Sequence, residues 1–242
     1  MQKAAIVSGG ARGIGYETAK LLARTHKVYV LDSSHKPASY RRDIEYVMGR
    51  TDVESDVNAL MCSINEPIGI VVNNASIGGV EWFENLSSDD ILNVLKVNLL
   101  GYALFTQKAL KHSMLKFKEG IIINLTSIAS YMPMRASWAY NVTKAGQVMM
   151  VKQWAREFAS RKIYTIGISP CRVDGTRHTN TIDNQVKELR NWSIEEIRKA
   201  TVASIPVGKA LTPADVARFI STLVDNFQPH MNGSDFKLSG GL

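Results

Sequence analysis

The chain has 242 residues, 45% of them hydrophobic and 21% charged, which suits one sizeable globular domain with its own core. The net charge is +7, but the basic residues are scattered along the chain. We therefore interpret the charge as a field that favours an anionic cofactor or substrate, rather than as a surface for nucleic acid. Two distant cysteines exclude a disulfide framework, and five histidines without ligand spacing predict no metal site.

The same composition predicts where the protein works. No segment is long and apolar enough to span a membrane, and Ala4–Val7 is too short for the core of a signal peptide. We therefore expect a cytoplasmic protein whose partner is a small molecule, with no nucleic-acid or membrane partner.

Short apolar runs alternate with longer amphipathic stretches along the chain. The predicted strands are Ala4–Val7, Val28–Leu31, Glu45–Met48, Ile68–Val72, Ile121–Leu125, Tyr164–Ile168 and Phe236–Leu238. The predicted helices are Ile14–Arg24, Ser55–Ile64, Asp89–Phe117, Trp138–Ser160 and Ala214–Asn226. This alternation predicts an α/β fold with a mostly parallel, seven-stranded, doubly wound sheet covered by helices on both faces. The short segment 32–45 contains Pro37, which argues against a crossover helix there.

Residues 175–204 interrupt the alternation with a polar loop and two helical pieces, Asn184–Leu189 and Ile194–Val202. A long insertion that follows a strand end, where α/β proteins bind ligands, favours a lid over a pocket. The alternative is a surface excursion without function.

A glycine-rich segment, Ser8–Gly15, follows the first strand and opens the first helix. Gly9 and Gly13 let the backbone turn sharply, and Ile14 begins the helix, whose free N–H groups attract a pyrophosphate. Asp32 ends the second strand, where a carboxylate accepts hydrogen bonds from ribose hydroxyls and repels a 2′-phosphate, which favours NAD. Arg12 argues for NADP, because a guanidinium can hold that phosphate. We give Asp32 more weight and therefore favour NAD. The alternative roles are an ordinary turn residue for Asp32 and an ordinary surface charge for Arg12.

Tyr140 and Lys144 are four residues apart on a predicted helix and share one face. A lysine ammonium stabilises a phenolate, so this pair can exchange a proton with an alcohol oxygen. Ser127 follows a strand end thirteen residues earlier and can bind the same oxygen. Asn98 is a polar residue in an otherwise apolar helical stretch. Taken singly, each also fits an ordinary surface or core role.

Together these motifs resemble the short-chain dehydrogenase/reductase family in its single-domain form, over nearly the full length. The matching segments are Ser8–Gly15, Asp52-Val53, Asn73-Asn74-Ala75, the set Asn98, Ser127, Tyr140 and Lys144, Ile205–Lys209, Pro213–Ala217, Asn232-Gly233 and Ser239–Gly241. The resemblance implies a three-layer Rossmann fold, with residues 1–242 as one dinucleotide-binding and catalytic domain. It further implies a homodimer or homotetramer.

The resemblance also implies roles for individual residues. Tyr140 would be the general acid/base, Lys144 would lower its pKa and bind the nicotinamide ribose, Ser127 would polarise the substrate oxygen, and Asn98 would hold a water that relays protons from Lys144. The expected cofactor contacts are Gly9, Arg12, Gly13, Ile14, Asp32, Asp52, Val53, Asn74, Ala75, Tyr140, Lys144, Pro170 and Val173. Cys171 stands where the family usually has glycine, which places a side chain near the expected nicotinamide position.

These residues predict an oxidoreductase that transfers a hydride between NAD(H) and a secondary alcohol or ketone. Candidate pocket residues suggest a flat or cyclic apolar substrate; they are Ser76, Ile77, Ala129, Met132, Met134, Trp138, Cys171, His178 and Trp192. Arg135, Arg172 or Arg177 could pair with a substrate carboxylate or phosphate. Two alternatives remain: an NADP-dependent carbonyl reductase, and a non-catalytic dinucleotide-binding regulatory protein.

Overall fold

The computed structural model describes residues 2–242, and seven strands lie in this part of the chain. They are β1 (Ala4–Ser8), β2 (Lys27–Asp32), β3 (Ile44–Met48), β4 (Ile68–Asn73), β5 (Gly120–Leu125), β6 (Ile163–Pro170) and β7 (Asp235–Leu238). All neighbouring pairs are parallel, in the order β3-β2-β1-β4-β5-β6-β7. The predicted doubly wound sheet is therefore confirmed.

Helices cover both faces of this sheet. They are α1 (Gly13–Leu22), α2 (Glu54–Cys62), α3 (Ser88–Leu95), α4 (Gly101–Ala109), α5 (Leu115–Phe117), α6 (Trp138–Phe158), α7 (Arg177–Arg190), α8 (Ile194–Ala203) and α9 (Pro213–Asp225). The helix predicted at 89–117 is interrupted by two π-helical segments, Lys96–Leu100 and Leu110–Met114. Residues 33–43, all of which the structure describes, form no helix, as Pro37 indicated.

The apolar residues of β1 show how the core divides into two layers. Successive strand residues point to opposite faces, so Ala5 and Val7 pack with residues of α1 and α9, while Ala4 and Ile6 pack with residues of α2 and α4. The central strands β1, β4, β5 and β6 are almost wholly buried, which explains why they are continuous apolar runs rather than alternating ones. Burying a side chain such as Ile6 contributes about 1.5–3 kcal/mol.

The carboxyl ends of the parallel strands meet at one edge of the sheet. Ser8 ends β1, Asp32 ends β2 and Asn73 ends β4, on either side of the point where the strand order reverses. Ligands of open α/β sheets bind at such a switch point. Nothing in residues 2–242 forms a helix of the length and hydropathy that crossing a bilayer requires.

Candidate active site

The glycine loop between β1 and α1 has the geometry of a phosphate cradle. Gly9 and Gly13 have φ of +68° and +58°, in the left-handed region that favours glycine. A Cβ at Gly9 would lie 2.8 Å from the Cα of Ala75, so the two loops approach too closely for a side chain. Arg12, the extended N-cap, offers no capping hydrogen bond, and the first turn of α1 holds no acidic residue. The helix N-terminus is thus available to an anion, and this loop fits a dinucleotide pyrophosphate.

Ser8 and Asn74 hold this loop in place. The Ser8 hydroxyl accepts hydrogen bonds from the backbone N–H groups of Asn74 (2.9 Å) and Ala75 (3.1 Å). The Asn74 amide donates to the carbonyl oxygens of Ser8 and Gly9 at 3.0 and 2.9 Å. Asn74, expected as a cofactor contact, therefore uses its side-chain amide to hold the backbone of the glycine loop. Ser8 was not predicted as a site residue, although a hydroxyl directly before the first glycine was a usable signal.

Asp32 lies against the glycine loop at the end of β2. Its carboxylate accepts hydrogen bonds from the N–H of Ala11 (2.9 Å) and the N–H of Ser34 (2.8 Å). Beside it, the exposed Arg12 guanidinium donates to the Ser34 hydroxyl at 2.9 Å. Two groups with opposite preferences therefore lie next to one another. The Asp32 carboxylate suits the ribose hydroxyls of NAD, and the Arg12 guanidinium suits the 2′-phosphate of NADP.

The remaining expected cofactor contacts border the same edge of the sheet. Asp52 has a nearly buried carboxylate paired with Arg50 at 2.7 Å. Burial opposes the ionised form, but the hydrogen bond from Arg50 holds the pKa of Asp52 below its usual value. Val53 is the N-cap of α2, Pro170 closes β6, and the buried Val173 forms a bridge with Leu211.

Tyr140, Lys144 and Ser127 converge where β5 ends and α6 begins. The Lys144 Nζ lies 5.5 Å from the centroid of the Tyr140 ring and donates to the Leu125 carbonyl oxygen at 2.8 Å. Burial raises the pKa of Tyr140 to about 12, and a hydrogen bond with Ser127 acts in the opposite direction. Lys144 is 2% exposed, and this burial lowers its pKa to about 7, while Asp235 acts against that shift. Without a ligand, the site thus favours the neutral phenol and an ammonium that titrates near neutrality.

Asn98 lies in the π-helical segment Lys96–Leu100 and is fully buried. Its side chain accepts from the N–H of Ile77 at 2.9 Å and donates to the Ile77 carbonyl oxygen at 2.8 Å and to Thr143 at 3.0 Å. It therefore clamps the loop after β4 to α6. Its own carbonyl oxygen accepts from the side chain of Gln147 at 2.8 Å, and Gln147 accepts from Lys144 at 3.0 Å.

The side-chain amide of Gln147 thus connects the backbone of Asn98 to the Lys144 ammonium. Gln147 was not predicted as a site residue. The available signal was a polar side chain three residues after Lys144, among buried positions of α6.

A second unpredicted residue, Asp235, lies behind Ser127. Its carboxylate accepts hydrogen bonds from Thr126 (2.7 Å), Ser169 (2.6 Å) and Tyr131 (2.9 Å). These hydroxyls belong to β6 and to the segment that carries Ser127, so Asp235 ties that segment to the sheet. The signal was an acidic residue in a short terminal strand.

His178, at the start of α7, covers the ring of Tyr140. The two rings stack with centroids 5.0 Å apart and planes 30° apart. Burial and the charge of Lys144 lower the pKa of His178 to about 4, so this imidazole is neutral at physiological pH. The first helix of the expected lid therefore contacts Tyr140.

The other predicted pocket residues fall into two groups. Ala129 and Cys171 are buried, and burial raises the pKa of the Cys171 thiol. The exposed or half-buried residues are Ser76, Ile77, Met132, Met134, Trp138 and Trp192. Trp138 packs near Phe83 at 5.4 Å between ring centroids. Trp192 lies between α7 and α8 under the guanidinium of Arg190.

Arg172 corrects one expectation. Its guanidinium donates to both carboxylate oxygens of Asp183 at 2.9 and 2.7 Å and to Asp174 at 2.7 Å. It is therefore committed to fastening α7 to the loop after β6 and is not available to a substrate anion. Of the other two candidates, Arg135 lies over the ring of Trp82 and Arg177 is exposed.

Comparisons with known proteins agree with this geometry. A family profile described as short chain dehydrogenase matches residues 3–187. Carbonyl reductase family member 4 of Danio rerio is 31% identical, with 100% of this chain and 98% of the relative covered. A structure of an actinorhodin polyketide ketoreductase variant with NADPH superposes with a TM-score of 0.93 at 23% identity, covering 100% of this chain and 97% of that one.

A crystal structure of 3-ketoacyl-(acyl-carrier-protein) reductase from Brucella melitensis complexed with NADH has a TM-score of 0.85 at 25% identity. It covers 99% of this chain and 97% of its own. The family profile, the relative at 31% identity and the architecture thus agree over most of the sequence. The chain belongs to the short-chain dehydrogenase/reductase family of nicotinamide-dependent oxidoreductases.

Proposed function

We propose that this protein transfers a hydride between NAD(H) and a secondary alcohol or ketone, with Tyr140 as the general acid/base. The observation that carries the proposal is the convergence of three groups at the carboxyl edge of the sheet: the half-buried Tyr140, Ser127 just past the end of β5, whose hydroxyl acts to lower the pKa of that phenol, and the buried Lys144 ammonium beside the Tyr140 ring. A binding module has no need of this combination, which argues against the non-catalytic alternative.

Each residue has a chemical part in reduction. A nicotinamide cofactor, when bound, would supply the hydride. Ser127 donates a hydrogen bond to the substrate oxygen and polarises the carbonyl group, and Tyr140 passes its proton to that oxygen. Lys144 stabilises the phenolate that remains, which matters because burial alone raises the pKa of Tyr140 to about 12. Oxidation of an alcohol uses the same groups in reverse.

We propose NAD over NADP as the preferred cofactor. Asp32 is fixed against the glycine loop by two backbone N–H groups, and its ionised carboxylate would repel a 2′-phosphate. The hydrogen bond between Arg12 and Ser34 supports the second candidate, an NADP-dependent carbonyl reductase, because it holds a guanidinium beside the same site. Structural neighbours have been crystallised with either cofactor.

The proposed substrate is a flat or cyclic apolar ketone or alcohol. Support comes from the surface formed by Met132, Met134, Trp138 and Phe83, whose side chains are all more than 40% exposed. Exposed methionine and aromatic residues suit contact with a flat apolar molecule. Carbonyl and ketone reduction in the named relatives is consistent with this class.

The proposed assembly is a homodimer or homotetramer formed through the helical segments around α4 and α6. Leu100 and Met149 are 45% and 62% exposed on these segments, whereas Val148 is buried in the monomer. Cys62 and Cys171 are both free thiols in the described chain, which supports a reducing compartment such as the cytoplasm.

A cofactor and substrate panel tests the proposal. Purified protein is assayed by NADH and NADPH absorbance with cyclic and linear ketones, hydroxy acids and diols, beside the variant Tyr140→Phe. We expect turnover with NADH on cyclic ketones, and loss of that turnover in Tyr140→Phe with NADH affinity retained. Calorimetry that detects no binding of either cofactor would contradict the proposed function.

A further inference from the structure

We propose that Gln147 is a positioning residue, whose side-chain amide holds the Lys144 ammonium against the backbone of Asn98 and keeps that lysine in its charged form. The inference deepens the proposed function and rests on it for its catalytic meaning. Its physical content, the control of a buried ammonium by a neighbouring amide, can be measured without any turnover.

The geometry of the amide fixes its orientation. Gln147 is fully buried, its Nε2 donates to the carbonyl oxygen of Asn98 at 2.8 Å, and its Oε1 accepts from Lys144 Nζ at 3.0 Å. The backbone carbonyl oxygen of Asn98 can only accept a hydrogen bond, so the NH₂ group of the Gln147 amide must face it. The amide oxygen of Gln147 then faces Lys144. Asn98 belongs to a π-helical segment, a rare geometry that is frequent at functional sites.

The surroundings show why Lys144 needs this acceptor. Its ammonium has three N–H donors, and Leu125 and Gln147 accept from it at 2.8 and 3.0 Å. The titratable groups that face it are Tyr140 on α6, Tyr102 on α4, His178 on α7 and Asp235 on β7. Tyr140 and Tyr102 have raised pKa values and His178 a lowered one, so these three are neutral near pH 7.

Gln147 therefore holds Lys144 rather than relaying its proton. A water molecule can reorient and exchange donor and acceptor roles, whereas an amide locked at both ends cannot. Hydrogen bonding to the charged form favours that form. The amide thus works against the burial that lowers the pKa of Lys144 to about 7.

The test titrates Lys144 directly in the free protein. Lysine labelled with ¹³C at Cε is followed by NMR from pH 5 to 10, and its Lys144 signal is assigned by its loss in Lys144→Met. We expect Gln147→Met to lower the pKa of Lys144 by about one pH unit or more, because a hydrogen bond to a charged group is lost. Gln147→Glu keeps an acceptor oxygen and adds a negative charge, so it should raise the same pKa.

The matched control is Gln153→Met, at an exposed position of the same helix, which should leave the titration unchanged. If Gln147→Met does not fold, Gln147→Leu takes its place as the apolar variant. A Lys144 titration that stays within 0.2 pH unit of wild type, in a folded apolar variant, would overturn the proposal.

Kinetics separate this inference from the proposed function. If the wild-type protein reduces a ketone, Gln147→Met should lower kcat and leave the KM of the ketone unchanged. We expect kcat to fall about tenfold for each unit by which the pKa of Lys144 falls, because the charged fraction of Lys144 falls by the same factor above its pKa. A wild-type protein that turns over nothing contradicts the proposed function, but the NMR titration still decides the role of Gln147. An unchanged kcat together with a shifted Lys144 pKa would refute the catalytic part alone.

Discussion

Replacing Lys144 by methionine should change how the stability of the protein depends on pH. The ammonium is buried, and this burial lowers the pKa of Lys144 from its ordinary value of 10.5 to about 7. Between these two values the unfolded chain binds a proton on this lysine and the folded chain does not. Stability therefore rises with pH across this window, and the cost of the buried lysine is greatest below pH 7.

The magnitude follows from the width of that window. Each pH unit between the two pKa values contributes about 1.4 kcal/mol to the free energy of unfolding. From pH 7.5 to 9.5 the wild-type protein should therefore gain about 2.5 kcal/mol relative to Lys144→Met, slightly less than two full units because the lysine is partly titrated at both ends. The absolute offset between the two proteins is less informative, because methionine also leaves the Leu125 and Gln147 oxygens without their donor.

Urea unfolding of both proteins at half-unit pH steps measures this difference. The comparison cancels the other titrating groups, and Tyr140 stays neutral throughout because its pKa is about 12. An offset between wild type and Lys144→Met that stays constant within about 0.5 kcal/mol over this range would refute the reasoning.

Three further predictions address the site and the lid. Tyr140→Phe should lower kcat by about 10²–10⁴-fold with little change in NADH affinity by fluorescence titration, because the proton donor is lost; equal loss of binding would contradict that role. Asp32→Asn removes the repelling charge and should raise the NADP-to-NAD ratio of kcat/KM by about tenfold or more; an unchanged ratio would shift the assignment to Arg12. Asp183→Asn removes the buried one of the two carboxylates that pair with Arg172, leaving only the more exposed Asp174, and should destabilise the fold by about 3 kcal/mol in urea unfolding; a loss below about 1 kcal/mol would show that the pair is dispensable.

The strand–helix order and the glycine loop could be predicted from the sequence because both depend on local patterns. A short continuous apolar run bounded by turn residues indicates a strand buried on both faces, and Gly9 and Gly13 mark a turn by their own backbone freedom. The spacing of Tyr140 and Lys144 set their common face on α6 for the same reason. Ser127 and Asn98 joined them through the family resemblance rather than through spacing alone.

Other features depended on which side chains meet in three dimensions. Arg172, an apparent anion site in the sequence, is paired with Asp183 eleven residues later, on α7. Gln147 reaches Asn98 across forty-nine residues, and Asp235 reaches Thr126 across one hundred and nine. A hydrogen bond has no sequence period, so such pairings leave no local pattern.

The sequence by itself determined the class of the fold, the position of the glycine loop and the shared helical face of Tyr140 and Lys144, since backbone freedom and periodicity are properties of short segments. Only the tertiary structure decided the environment of that pair. It placed Tyr140 under His178, linked Lys144 to Asn98 through Gln147 and committed Arg172 to the lid. Burial and hydrogen-bond partners set the proton affinities of these groups, and both are determined by contacts between distant parts of the chain.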